Sequence, residues 1–174
     1  MRFHLFVLAV GAALPACQCS PGFTTQFQGR LTIPSNPPGP LTSFPPVEGL
    51  TNVDFNLDPD FINEGVTKDR VTGAVAESVK LQITNPASQD FKFLDNLQLV
   101  ARSGSQEALV AQKSSIGQIN LPLPSPTLTM DTTGAELKPY VAASSMSFVV
   151  RGSGVAPPAD TLIVIMIGME ISTK

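Results

Sequence analysis

Residues 58 to 64 read DPDFINE, and with Asp54 just before them they gather Asp58, Asp60, Asn63 and Glu64 within one short stretch. Hard oxygen donors at this density suit calcium, which takes six to eight of them, often from loops between strands. The spacing is not that of an EF-hand loop. Asp, Asn and Pro are also ordinary turn formers, so the segment fits either a calcium loop or a solvated turn whose side chains bond their own backbone. Asp90 and Asp95 flank FKFL, a pair that would need a cleft and one raised pKa to serve glycoside hydrolysis. With Lys92 between them, an exposed Asp90–Lys92 ion pair is the simpler expectation. Lys113 beside Ser114 and Ser115 offers the residue types of Ser-Lys chemistry, yet adjacency alone does not create a hydrogen bond between them. The single histidine is His4, and the chain has no tryptophan and one tyrosine. A Ser-His-Asp or Cys-His arrangement therefore cannot be assembled beyond the first few residues. Sugar-stacking surfaces lose support in the same way.

The N-terminus explains where such a chain would live. Arg2 precedes an uncharged apolar run from Leu5 to Leu14, the size of a signal-peptide core and short of the roughly 20 residues that a spanning helix needs. Leu14-Pro15-Ala16-Cys17 follows and resembles the lipobox of bacterial lipoproteins, with Pro15 as its departure from the usual small or β-branched residue. The resemblance implies cleavage after Ala16 and a diacylglyceryl group on Cys17, hence a membrane partner through that lipid. Ordinary signal-peptidase cleavage at the same bond is the alternative. A Cys17–Cys19 disulfide would close a ring too small to restrain much chain entropy. Two thiolates without histidine do not complete a zinc shell. Gln18 stands where an Asp would mark inner-membrane retention, so the outer membrane is the expected location, with the domain facing the periplasm or the surface.

Removal of residues 1–16 takes away Arg2 alone among the charged residues, which leaves 10 Lys and Arg against 14 Asp and Glu. The acidic balance and the scattered positive residues argue against a nucleic-acid partner. The remaining length is that of one domain.

Period-two patterning sets the fold class. Phe23, Thr25, Phe27, Leu31 and Ile33 share one parity, with Gln26, Gln28, Arg30 and Thr32 on the other. The strand stops at Pro34, where a connection over 34–46 with six prolines can form neither helix nor central strand. Val79, Leu81 and Ile83 alternate next, followed by a turn. Phe91, Phe93, Leu97, Leu99 and Ala101 predict a strand through FKFLDNLQLVAR. Ile119, Leu121 and Leu123 predict a short one ending in prolines. Met146, Phe148 and Val150 predict another, closed by GSG at 152–154. The last, over 161–172, is apolar on both parities through Met169. It reads as a central strand, or as one whose second face meets a partner. The sole helix candidate is a turn or two within 132–141, limited by Pro139. These features predict an all-β antiparallel β-sandwich of immunoglobulin-like or Greek-key type, with about seven to nine strands and almost no helix outside the signal peptide. A short tether over 17–22 would lead into one domain over 23–174. Phe91, Phe93 and Phe148 could line a pocket, although such residues more often fill a core.

The stretches GLTNVDFNLDPDFINEGV, VKLQITNPASQDFKFLDNLQLVAR and ELKPYVAASSMSF, with the apolar last strand, resemble uncharacterised envelope lipoproteins of Gram-negative bacteria. That resemblance implies an all-β fold and an envelope location, and it brings no catalytic residues. The function expected is a non-enzymatic structural or interaction module on the envelope, with an envelope protein as its partner. The alternative is a periplasmic calcium- or ligand-binding sandwich without an anchor. No cofactor other than calcium is expected.

Overall fold

The computed structural model describes residues 22–36, 40–42 and 44–174. The expected signal peptide, Cys17, Cys19 and residues 37–39 and 43 of the proline-rich connection lie outside the described residues. Strand β1 (Gly22–Ile33) buries alternate side chains from Thr25 onward, as its period-two pattern requires. It pairs antiparallel with β8 (Thr161–Thr173) over its whole length, from Gly22 opposite Ser172 to Ile33 opposite Thr161, without a bulge. The other side of β8 pairs with β2 (Val71–Asn85) through three register shifts, and β5 (Thr127–Thr129) completes the sheet in the order β1-β8-β2-β5. The second sheet joins β3 (Leu94–Ser103), β4 (Gln106–Ser114), β6 (Asp131–Thr132) and β7 (Ser147–Gly154) in the order β6-β4-β3-β7. All pairings are antiparallel. The all-β sandwich expected from the patterning is therefore the fold, with the last strand lying between the first and the second.

One apolar cluster spans both sheets. Ile163, Ile165, Ile167, Met169 and Ile171 form its spine on β8, facing Leu97, Leu99, Phe148 and Val150 of the second sheet. Phe27, Phe55, Phe61 and Phe23 add a chain of edge-to-face rings with centroids 5.1 to 5.4 Å apart. Each such contact is worth about 0.5–1.5 kcal/mol beyond area burial. The apolar run of β8 suits its central place. Val164, on the face away from the core, has Arg30 and Gln82 as cross-strand neighbours, and long amphipathic side chains at such positions cover apolar surface.

Both sides of the sandwich are laced by the chain itself. On one side the chain passes from β5 to β6 through buried Met130, whose N–H donates to the Val79 carbonyl at 2.9 Å. On the other, Glu48 exchanges two 2.9 Å hydrogen bonds with Arg30 of β1. The same segment then reaches β7, where the Phe148 N–H donates to the Leu50 carbonyl at 2.8 Å and Val53 pairs with Met146. Edge groups that would otherwise invite foreign strands are thus satisfied internally at these points.

Two local expectations are corrected. Phe91 and Phe93 lie in a turn before β3, not on a strand, although both are buried. Residues 119–123 form no strand: Pro122 and Pro124 have no N–H to give a ladder, and a 3-10 turn at Ile116–Gln118 redirects the chain before them. GSG closes β7 as its last three residues, where a Cβ on Gly152 or Gly154 would collide with the carbonyl oxygens of Asn96 and Phe93 respectively. The strand β4 carried no alternation from which to expect it. The helix candidate holds as one turn, α2 (Lys138–Val141), and a second short helix, α1, spans Pro59–Asn63. Among the described residues no helix is long and apolar enough to cross a membrane.

Candidate functional site

The acidic segment is put to structural use. Asp58 is the N-cap of α1: its Oδ1 accepts from the backbone N–H of Asp60 at 3.1 Å and of Phe61 at 3.3 Å, while Pro59 opens the helix. The same oxygen accepts from the Thr25 hydroxyl of β1 at 3.3 Å. Asp54 caps the preceding turn through Asn56 N–H at 3.1 Å and faces Lys68 at 3.5 Å. Glu64 terminates α1, and Asn63 is its exposed last residue. Among the described residues no group of three or more His, Cys, Asp or Glu side chains is placed to hold a metal. Asp58, Asp60, Asn63 and Glu64 are thus the cap, body and end of one small helix rather than a converging ligand set.

The other candidate residues form no catalytic arrangement among the described residues. Asp90 accepts from the Lys92 N–H at 3.1 Å in the turn and stands 3.5 Å from the Lys92 ammonium, so the expected pair exists, though not on a strand. Asp95 is exposed on β3. Lys113 turns to Asp131 of β6, with Nζ 3.1 and 3.2 Å from the two carboxylate oxygens, and is not hydrogen-bonded to Ser114 or Ser115. Phe91, Phe93 and Phe148 are buried core residues.

The surface with the most assembled polar chemistry is the outer face of the second sheet. Register places Ser114, Asn96 and Ser153 in one row across β4, β3 and β7, and Gln112, Gln98 and Arg151 in the next. Asn96 donates to the Ser153 hydroxyl at 2.7 Å. Beyond them Glu107 of β4 stands opposite Arg102 of β3, and its Oε1 accepts at 2.7 Å from Arg102 Nε and at 2.7 Å from the Arg151 guanidinium, which reaches over β3 from β7. The hydrogen bonds from Arg151 and then Arg102 hold the Glu107 carboxyl below the usual glutamate range. Two guanidinium groups share one carboxylate, which leaves one positive charge in excess toward the β3–β4 turn of a carboxamide-rich face.

Two shallow concavities of about 570 and 490 Å³ lie on this face and share Asn96 and Gln98 as a common wall. The first runs toward Lys113 and Gln118, and the second runs under Thr42 and Phe44 beside Arg151. Sequence patterning indicated that Asn96, Gln98 and Arg102 point outward. It gave no sign of Glu107 or Gln112, because β4 shows no alternation, nor of the neighbours of Arg151, which are set by pairing of β7 with a strand distant in sequence. No known family model matches the chain, and comparison with curated proteins finds no match.

Proposed function

We propose that the chain is a non-enzymatic interaction module of a bacterial envelope, cleaved after Ala16, anchored to the outer membrane by lipid on Cys17, and docking an envelope protein through the outer face of β4, β3 and β7. The observation that carries this reading is the Arg102–Glu107–Arg151 cluster beside the row of Asn96, Gln98 and Gln112. These side chains offer hydrogen bonds in both directions, and the excess guanidinium suits a carboxylate of the partner. The anchor is supported by the lipobox resemblance of Leu14 to Cys17. Several long chains on such a cysteine contribute roughly 0.8 kcal/mol per buried methylene, enough for permanent attachment.

A photoreactive residue placed at Gln98 and, in a second strain, at Gln82 on the opposite sheet tests the docking face in intact envelopes. The expected result is one discrete adduct from position 98, lost in a Arg102→Ala/Arg151→Ala background, and none of that size from position 82. Equal adducts from both positions, or none from position 98, would contradict the reading.

A further inference from the structure

Four large apolar side chains are well exposed among the described residues, and they fall at opposite ends of the sandwich. Val155 stands between β7 and the start of β8, and Leu123 lies in the loop that reaches back to Ala87 beyond the end of β2. Both therefore mark the end where β1 finishes. Leu57 and Ile62, exposed at 75% and 62%, mark the other end. Each adjoins in sequence a residue that touches the start of β1: Asp58 accepts from the Thr25 hydroxyl, and the Phe61 ring meets Phe23 edge-on with centroids 5.1 Å apart. Neither is used by the core, since Phe55 and Phe61 supply the inward bulk of this segment. Half-buried Phe23 and Val66 line a concavity of about 270 Å³ at the same end, together with Gly22, Glu64, Arg70 and Lys174. The apolar surface thus begins at Gly22, where the expected tether enters the domain.

We propose that this end of the sandwich lies against the bilayer, with Leu57 and Ile62 in the boundary between headgroups and acyl chains. The inference rests on the lipid anchor at Cys17 proposed above, and the length of the tether selects a lipid surface as the occupant. Five peptide steps separate Cys17 from Gly22, and a fully extended chain of that length spans at most about 18 Å. β1 rises about 3.3 Å per residue, so over its 12 residues the far end, with Leu123 and Val155, stands about 36 Å beyond Gly22. With the anchor in place Gly22 is held beside the membrane surface, and the exposed apolar side chains nearest to it have a lipid phase to enter. Their burial there is favourable as it is in a core, whereas Leu123 and Val155 stay in water in this orientation. Arg70 and Lys174 at the rim of the concavity suit phosphate headgroups, against Glu64 alone of the acidic residues lining it.

The chain has no tryptophan, so one placed at each of the four exposed positions reports on its own surroundings. Leu57→Trp, Ile62→Trp, Leu123→Trp and Val155→Trp are purified from membranes with their own lipid and reconstituted into phosphatidylcholine vesicles, with and without phosphatidylcholine brominated near the headgroup end of its chains. Emission at positions 57 and 62 is expected to shift to the blue on reconstitution and to lose most of its intensity to the brominated lipid, while positions 123 and 155 are unaffected by it. Flotation of the vesicles reports the anchor separately, since the parent should float and Cys17→Ala should not. A parent that fails to float removes the anchor and this inference with it. A parent that floats while positions 57 and 62 are quenched no more than 123 and 155 overturns this inference alone. A blue shift at 57 and 62 without quenching would mean contact with protein, a second copy included, and would overturn it as well.

Discussion

Gly29 of β1 lies so close to Leu50 that a Cβ on it would fall 2.6 Å from the Leu50 Cγ, and equally close to Val47 Cγ1. This contact lets the segment after the proline-rich connection settle onto β1 and carry the Glu48 pairing. Gly29→Ala should destabilise the fold by about 1–3 kcal/mol through overpacking, despite the backbone entropy that Ala recovers. Gly73→Ala, where the nearest atom to a new Cβ is 3.6 Å away, should be neutral or slightly stabilising. Urea midpoints of the two variants decide the matter, and equal midpoints would refute the tight seat.

Asp58 joins two elements through one oxygen. Asp58→Ala should cost about 1 kcal/mol through the lost cap, with a further contribution from the Thr25 bond, whereas Asp60→Ala, which removes no cap, should change stability by less than about 0.5 kcal/mol. With this carboxylate committed to α1, millimolar calcium and chelator should give the same melting temperature. A clear rise with calcium would return these residues to the role of ligands.

Glu107 has its carboxyl lowered by Arg151 and Arg102, so its ion pairs add stability above the ordinary glutamate range, and that contribution is lost as pH falls through the lowered value. Asp160 behaves alike, held low by the Ser35 N–H and then by the Ser35 hydroxyl. Glu107→Gln should therefore be less stable than the parent near neutrality, and the difference should shrink as the solution is acidified below the carboxylate range. Denaturant midpoints across pH read this directly, and a gap that widens on acidification would contradict the assignment.

Gly152 lies where a Cβ would strike the Asn96 carbonyl, beside the register shift between Leu94 and Asn96. Gly152→Ala should pry β7 from β3 and displace Arg151, so its effect should appear both as a lower melting temperature and as loss of the position 98 adduct. Gly65→Ala has open space around its Cβ but a φ of +62°. It should lower the melting temperature while the adduct survives.

Period two was legible wherever strands were regular. β1 runs 12 residues without a bulge, and its inward set was read correctly except that Gly29, the fourth inward position, offers no side chain to count. β4 was illegible for the opposite reason: a register shift between Leu99 and Val100 makes adjacent Val110 and Ala111 both buried, which breaks the alternation. The first half of β2 is hidden by small residues and two register shifts between Val71 and Ser78. The start of α1 was signalled by Asp58-Pro59, but five residues are too few for helical periodicity, and acidic density suggested a metal instead. The polar face of the second sheet was out of reach, since Arg102, Glu107 and Arg151 meet only through β3–β7 and β3–β4 register. The β3–β7 register depends on contacts remote in sequence, and the β3–β4 hairpin could be set only once β4 had been recognised as a strand.

The central claim, an envelope module held by lipid on Cys17, is tested most directly by labelling expressing cells with radioactive palmitate. The account predicts label on the parent protein and none on Cys17→Ala, with Cys19→Ala labelled as the parent. An unlabelled parent, or equal label on Cys17→Ala, would contradict it.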